Sequence, residues 1–244
     1  MAKTRGQRGG PDDEALLALF HAIASSDDLE ISRRLDSSPE LASSPIRAGA
    51  SREDARTYFL VPIGHYVYEG DTALHVAAAT HQRELAESLV TKGADVSARN
   101  RRGAEPLHYA ADGSPGAEHW DPVAQREVVR FLIEACADPN ALDKSGVAPL
   151  HRAVRTRCSR AVSALIESGA DPLLMNKSGS TPLHLAVQTT GRSNSGSDAA
   201  KDEQGQVIVV LLAHGARPTD TDAKGKTVAA AASSDWIRDL LRTS

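Results

Sequence analysis

Cysteine is almost missing from this chain: Cys136 and Cys158 are the only two among 244 residues. Two isolated thiols cannot make a disulfide framework or a zinc cluster, so both are read as reduced. Aromatic residues are scarce as well, at 4%. No apolar run approaches the roughly 20 residues that span a bilayer. The stretch Met1 to Pro11 is basic and glycine-rich but has no apolar centre of the kind a secretory signal carries, and it reads as a disordered tail, residues 1–11. A cytoplasmic protein without a membrane partner is therefore expected. The formal net charge of −4 lacks the basic excess of a general nucleic-acid binder. No nucleophile-elbow, Walker-type or dinucleotide fingerprint occurs, so neither catalysis nor a cofactor is expected.

What is present is repetition. Ser168 to Ala186 holds a helix end, a turn and a new helix start in that order. Gly169 follows Ala161–Ser168, whose apolar residues fall at helical spacing, and supplies the left-handed conformation that closes a helix. Asn176-Lys-Ser-Gly179 reads as a turn. Thr181-Pro182 reads as an N-cap followed by a proline at the first helical position, where its missing N–H costs nothing. Related starts occur at Thr72-Ala-Leu-His75, Glu105-Pro-Leu-His108, Ala148-Pro-Leu-His151 and Thr181-Pro-Leu-His184, with a degenerate Thr227-Val-Ala-Ala230. Matching ends are Gly93-Ala-Asp95, Cys136-Ala-Asp138, Gly169-Ala-Asp171 and Gly215-Ala-Arg217. Starts are 33, 43, 33 and 46 residues apart, which is a period of 33 with insertions of 10 and 13.

These motifs and this period resemble the ankyrin repeat. The resemblance implies an all-α solenoid over residues 12–244: about six helix-turn-helix units, including degenerate caps at both ends, packed closely through alanine and leucine. Glu14 to Ala24 and Leu29 to Leu35 form a first, cryptic unit in which Phe20-His21-Ala22 fills the Leu-His slot. With Ala18 in the Thr slot, Thr72 lies 54 residues on, an excess of 21 that falls within an enlarged finger, residues 42–68. Inside it Ser51-Arg-Glu-Asp54 reads as a helix start. Tyr58, Phe59, Tyr66 and Tyr68 either pack the finger onto its neighbours or present a binding surface. The other insertions fall at about 112–121 and 191–203, the stretch Gly191 to Asp198 being flexible by composition. Asp121-Pro122 should start the second helix of its unit early. Cys136 stands where a helix-terminal glycine is expected, implying strain or a differently shaped end. The last unit is a cap with Trp236 folded against the fifth.

Of nine histidines, five (His21, His75, His108, His151 and His184) occupy the motif slot, where the resemblance implies a structural bond to turn backbone. Asp112, His119 and Asp121 share a loop, but their spacing matches no metal-ligand motif, and no metal is expected. The resemblance implies a concave binding surface made of fingertips and first helices. Its fingertips would be Tyr68, Glu69, Arg101, Arg102, Lys144, Ser145, Lys177, Ser178, Ala223 and Lys224, with Tyr109, Arg152, Arg155 and Gln188 on the exposed side of the first helices. Seven of these fourteen are basic and one acidic, in a net-acidic chain. The leading reading is a non-enzymatic interaction module, monomeric, that binds an acidic protein surface through Tyr66, Tyr68, Arg101, Arg102, Tyr109, Lys144, Arg152, Arg155, Lys177 and Gln188. Two alternatives remain open. One is a small-ligand or metal-binding protein, or an enzyme, using the Asp112–Asp121 loop or the finger. The other is nucleic-acid binding, disfavoured because aromatics do not interleave with the basic fingertips. Finger and loop are expected at opposite ends of the helices, which counts against a shared site.

Overall fold

The computed structural model describes residues 11–115, 120–188 and 197–243. Among them twelve α-helices form six successive pairs: α1 (Pro11–Ala24) with α2 (Asp28–Ser37), α3 (Ala73–Ala79) with α4 (Arg83–Thr91), α5 (Pro106–Ala111) with α6 (Pro122–Glu134), α7 (Pro149–Thr156) with α8 (Ser159–Glu167), α9 (Pro182–Ala186) with α10 (Asp198–Ala213), and α11 (Val228–Ala231) with α12 (Asp235–Thr243). The first members pack on one another in chain order, and α4, α6, α8 and α10 make a second row behind them. Small residues let the inner row approach closely: Ala73, Ala77, Ala78, Ala110, Ala111 and Ala153 are all buried.

Histidine joins the units. The Nδ1 of His75 accepts from the backbone N–H of Thr72 at 3.1 Å, so its Nε2–H must be the donor to the carbonyl of Ala104, at 3.2 Å. His108 repeats this between Glu105 N–H (3.1 Å) and the Val147 carbonyl (3.0 Å), and His184 bridges the Thr181 hydroxyl (2.8 Å) and the Lys226 carbonyl (3.1 Å). Each accepting carbonyl lies one residue before the next unit's N-cap. His21 departs from the expectation: it is exposed. The left-handed residues Ser26 and His81 mark equivalent turns, and that register puts buried Phe20, not His21, in the slot of His75. Without a Thr-Pro start to frame it, the cap's motif was displaced by one residue.

The fingertip turns share a second device. The Oδ1 atoms of Asn100, Asp143, Asn176 and Asp222 each accept two backbone N–H groups, two and four residues ahead. Gly179, at φ 76° in the third of these turns, is buried against Ala223 of the next, where a side chain would clash. Helix ends agree with the motifs except at Cys136, which sits at φ 73° where Gly93, Gly169 and Gly215 sit near 95–99°. Cys136 takes the left-handed turn without glycine's freedom, which accounts for the odd residue at that helix end.

The finger is not a helix. Ser51 begins a run of turns, its Oγ accepting from Glu53 and Asp54 N–H, because a capping side chain without a following apolar face has nothing to pack a helix against. The chain instead makes a short antiparallel ribbon, β1 (Phe59–Leu60) with β2 (His65–Tyr66), and Ala50 N–H bonds back to Val67. Asp13 in α1 anchors this ribbon by accepting from the N–H groups of Arg47 and Ala48, both at 3.0 Å. Tyr58 and Leu60 are buried beneath it. Both later insertions lead into a capped helix. Asp121 caps α6 by accepting from Val123 and Ala124 N–H. Ser197 caps α10 at Ala200 N–H, so the last part of the second insertion, 198–203, is the start of that helix. Residues 1–10, His119 and 191–196 lie outside the described residues, as do the expectations that rest on them.

Candidate functional site

The basic fingertips stack edge to edge through the backbone: Arg101 N–H bonds the Glu69 carbonyl at 2.6 Å, Lys144 N–H that of Arg102 at 2.9 Å, and Ala223 N–H that of Gly179 at 3.0 Å. Arg101, Arg102, Lys144, Lys177 and Lys224 are all exposed. Tyr68 is half-buried between guanidinium groups, with Arg101 at 5.4 Å and Arg102 at 4.8 Å from its ring, and its hydroxyl accepts from Arg102 at 2.8 Å. Arg101 also donates to the Ala50 carbonyl in the finger, and Lys144 Nζ to the Arg101 carbonyl at 2.8 Å. The finger therefore orders the cations beside it. Arg155 and Gln188 are exposed on α7 and just past α9.

Two of the expected surface residues are not on the surface. Tyr109 is 3% exposed, and its hydroxyl donates to the carboxylate of Asp71 at 2.9 Å. Asn100 donates to the same carboxylate at 2.8 Å and to the Tyr109 oxygen at 2.9 Å. Burial first, and then the Asp71 charge, push the Tyr109 phenol well above its usual range. The Arg152 side chain, 12% exposed, pairs with Asp112 at 2.9 Å and Asp143 at 3.2 Å. Burial opposes its charge, but the two carboxylates more than offset that and hold it protonated. The inner-helix pattern marks both positions as exposed, but His65 of the finger packs on Tyr109, and Arg152 is held by Asp112, Asp143 and the Tyr109 ring. Tyr66, by contrast, is 41% exposed and meets Phe59 ring to ring at 4.7 Å.

Finger and loop are not held apart either. The hairpin turn at Pro62–His65 reaches over the C-terminal ends of α1 and α3 and faces Asp112–Ser114 and Trp120. Between them lies a cavity of about 690 Å³. His65 packs edge-on to the Tyr109 ring at 4.6 Å, while its Nε2 is buried and has no partner among the described residues. His81 donates from Nε2 to the Asp112 carbonyl at 3.1 Å. Burial lowers the affinity of both imidazoles for protons, with Asp112 acting the other way on each. Gly113 fits here because a Cβ would strike Cys158 Sγ, Trp120 Nε1 and Gln125 Oε1. Gln125 is fully buried, accepting from Trp120 Nε1 at 3.0 Å and donating to the Ala110 carbonyl at 3.0 Å. Gln204 likewise donates to the Ala186 and Gln188 carbonyls, at 2.6 and 2.7 Å. No sequence rule singled out these two glutamines, although each sits in the helix after a long loop.

Among the described residues no group of three or more metal-binding side chains converges, and no helix is long and apolar enough to cross a membrane. In comparisons with known proteins, the single ankyrin repeat model matches residues 69–101 and a model of three ankyrin repeat copies matches residues 123–195. A search of curated proteins finds no match.

Proposed function

Because the chain is an ankyrin repeat protein, a family of protein-binding and typically non-enzymatic modules, we propose that it is an adaptor or inhibitor that captures an acidic surface of another protein. The fingertip row supports this reading. Arg101, Arg102, Lys144 and Lys177 are exposed in succession, and Tyr68 and the backbone fix the first two in place. Neighbouring units in such a stack lie about 10 Å apart, close to one Debye length in physiological salt, so their fields add and steer an acidic partner. Arg155, Gln188 and Tyr66 extend the surface. Arg152 and Tyr109 support it from beneath without touching the partner. The chain works as a monomer in the cytoplasm, where Cys136 and Cys158 stay reduced.

The test is affinity capture from native cell extract at two salt concentrations, with wild type against a Lys144→Glu, Lys177→Glu, Arg155→Glu triple variant. The variant should fold normally and lose the partners whose capture by wild type weakens with salt. Equal recovery of the same partners by both proteins would show that the fingertip row is not the binding surface.

A further inference from the structure

The middle of the fingertip row carries more than charge. Leu142 and Met175 are 40% and 45% exposed. Each stands directly before the residue whose Oδ1 closes the turn, Asp143 or Asn176, and directly after that residue comes an exposed lysine, Lys144 or Lys177. The two hairpins abut. A Cβ on Gly146 would strike the backbone of Lys177, and the Asn140 side chain bonds both the Gly169 carbonyl, at 3.0 Å, and the Asp171 N–H, at 2.8 Å. An apolar pair therefore sits beside a lysine pair. In the flanking hairpins the apolar slot holds Arg99 and Thr221, so this surface is confined to the centre of the row. Exposed apolar residues scattered singly are ordinary, but two in one slot of abutting hairpins make a patch.

We propose that the partner segment held by this row is itself mixed: a stretch of another protein that carries acidic and large apolar residues together. Its acids meet Lys144, Lys177 and Arg155, and its apolar side chains cover Leu142 and Met175. This rests on the fingertip reading and narrows it. The positive charge around the patch is open to a partner. The Asp143 side chain is turned inward and paired with Arg152, Asn176 is neutral, and the Lys144 ammonium meets only a carbonyl. Among the described residues neither Lys177 nor Arg155 has an ion-pair partner. A wholly acidic segment would set charged groups against Leu142 and Met175 and gain nothing from them. An apolar residue placed there removes apolar surface from water on both sides, and an apolar centre ringed by charge is the ordinary anatomy of a protein interface.

The test is selection from a phage library of random linear peptides against the full chain. Three proteins are compared: wild type, a Leu142→Ser, Met175→Ser double variant, and the Lys144→Glu, Lys177→Glu, Arg155→Glu triple variant. Both serine replacements are at exposed positions, so the double variant should melt as wild type does. Peptides recovered on wild type should be enriched in Asp and Glu and, in the same peptides, in Leu, Ile, Met and Phe. On the double variant the acidic enrichment should remain and the apolar enrichment should disappear. One recovered peptide, synthesised with a fluorescent label and titrated by anisotropy, should bind the double variant roughly tenfold more weakly than wild type. Acidic enrichment on wild type without apolar enrichment overturns this proposal and leaves the fingertip reading standing. So does apolar enrichment that survives in the double variant, or equal affinity of the synthetic peptide for both proteins. If wild type recovers no more acidic residues than the triple variant, the fingertip reading falls and this proposal falls with it.

Discussion

The first three units and the last three follow the same repeat but are held together differently. From α7 onward the units meet through the His184 bond to the Lys226 carbonyl, the backbone bond from Ala223 to Gly179 and small buried residues. Such a stack behaves as a sum of units and nearest-neighbour interfaces. In the N-terminal half, Asp13 of the first unit holds the finger, Asp71 binds Asn100 and Tyr109 of the third, and Asp112 of the third binds Arg152 of the fourth. Asp13, Asp71, Asn100 and Tyr109 are buried, so removing Asp71 strands the two groups that donate to it. An insertion has turned part of a one-dimensional array into a locally three-dimensional core.

Matched substitutions in the two halves should expose that difference. Asp71→Ala leaves Tyr109 and Asn100 without their shared acceptor and should cost about 3 kcal/mol or more. Asn176→Ala, which removes only a fingertip turn acceptor in the C-terminal half, should cost about 1 kcal/mol. Urea unfolding checks both, and equal costs would mean that the buried network adds nothing to the repeat. His108→Ala should lose about 1–3 kcal/mol by unpairing two backbone groups, whereas His21→Ala, outside the register, should stay within about 0.5 kcal/mol.

Acid should loosen the N-terminal half first. Burial, and then the charge of Arg152, hold the His108 pKa down to about 4, against 6.5 for an unburied histidine. The unfolded chain therefore gains the proton first as pH falls. The stability tied to the neutral ring is complete above about pH 6.5 and declines toward pH 4. By pH 5 His108 alone should have lost about 2 kcal/mol. His65, His75 and His81 shift in the same direction, each chiefly through burial. Amide exchange at pH 7 and pH 5 should show α3 and α5 losing protection before α9 and α10. The smallest effect is a gain: Cys136→Gly relieves a left-handed non-glycine residue and should stabilise by up to about 1 kcal/mol in thermal melts.

Local rules carried much of this structure. The period located the units, Asp121 and Thr181 their helix starts, and Gly93, Gly169 and Gly215 their ends, because caps and turns are decided within a few residues. The exposure of Lys144, Lys177 and Arg155 followed from the same slots. Tyr109 was misread because its burial depends on where the finger lies, and Arg152 because Asp112 from the insertion before it closes on it; no local pattern encodes the path of a long insertion. The cavity was invisible for that reason, since its walls come from segments about 50 residues apart that each look like an ordinary loop. At Ser51 the capping signal was present but the amphipathic stretch it needed was not.

Gln125 and Gln204 have a further consequence, for how such a chain can grow. Ala110 and Ala186 each lie two residues beyond a motif histidine, and each gives its carbonyl to a glutamine from the paired helix. That side-chain hook clasps the two helices directly, so the connecting loop is released from holding them in place. Both hooked units are the ones that carry the 10- and 13-residue additions between their helices. The hook thus makes the point between paired helices a natural graft position, where new sequence can accumulate or be engineered in without disturbing the array that bears it.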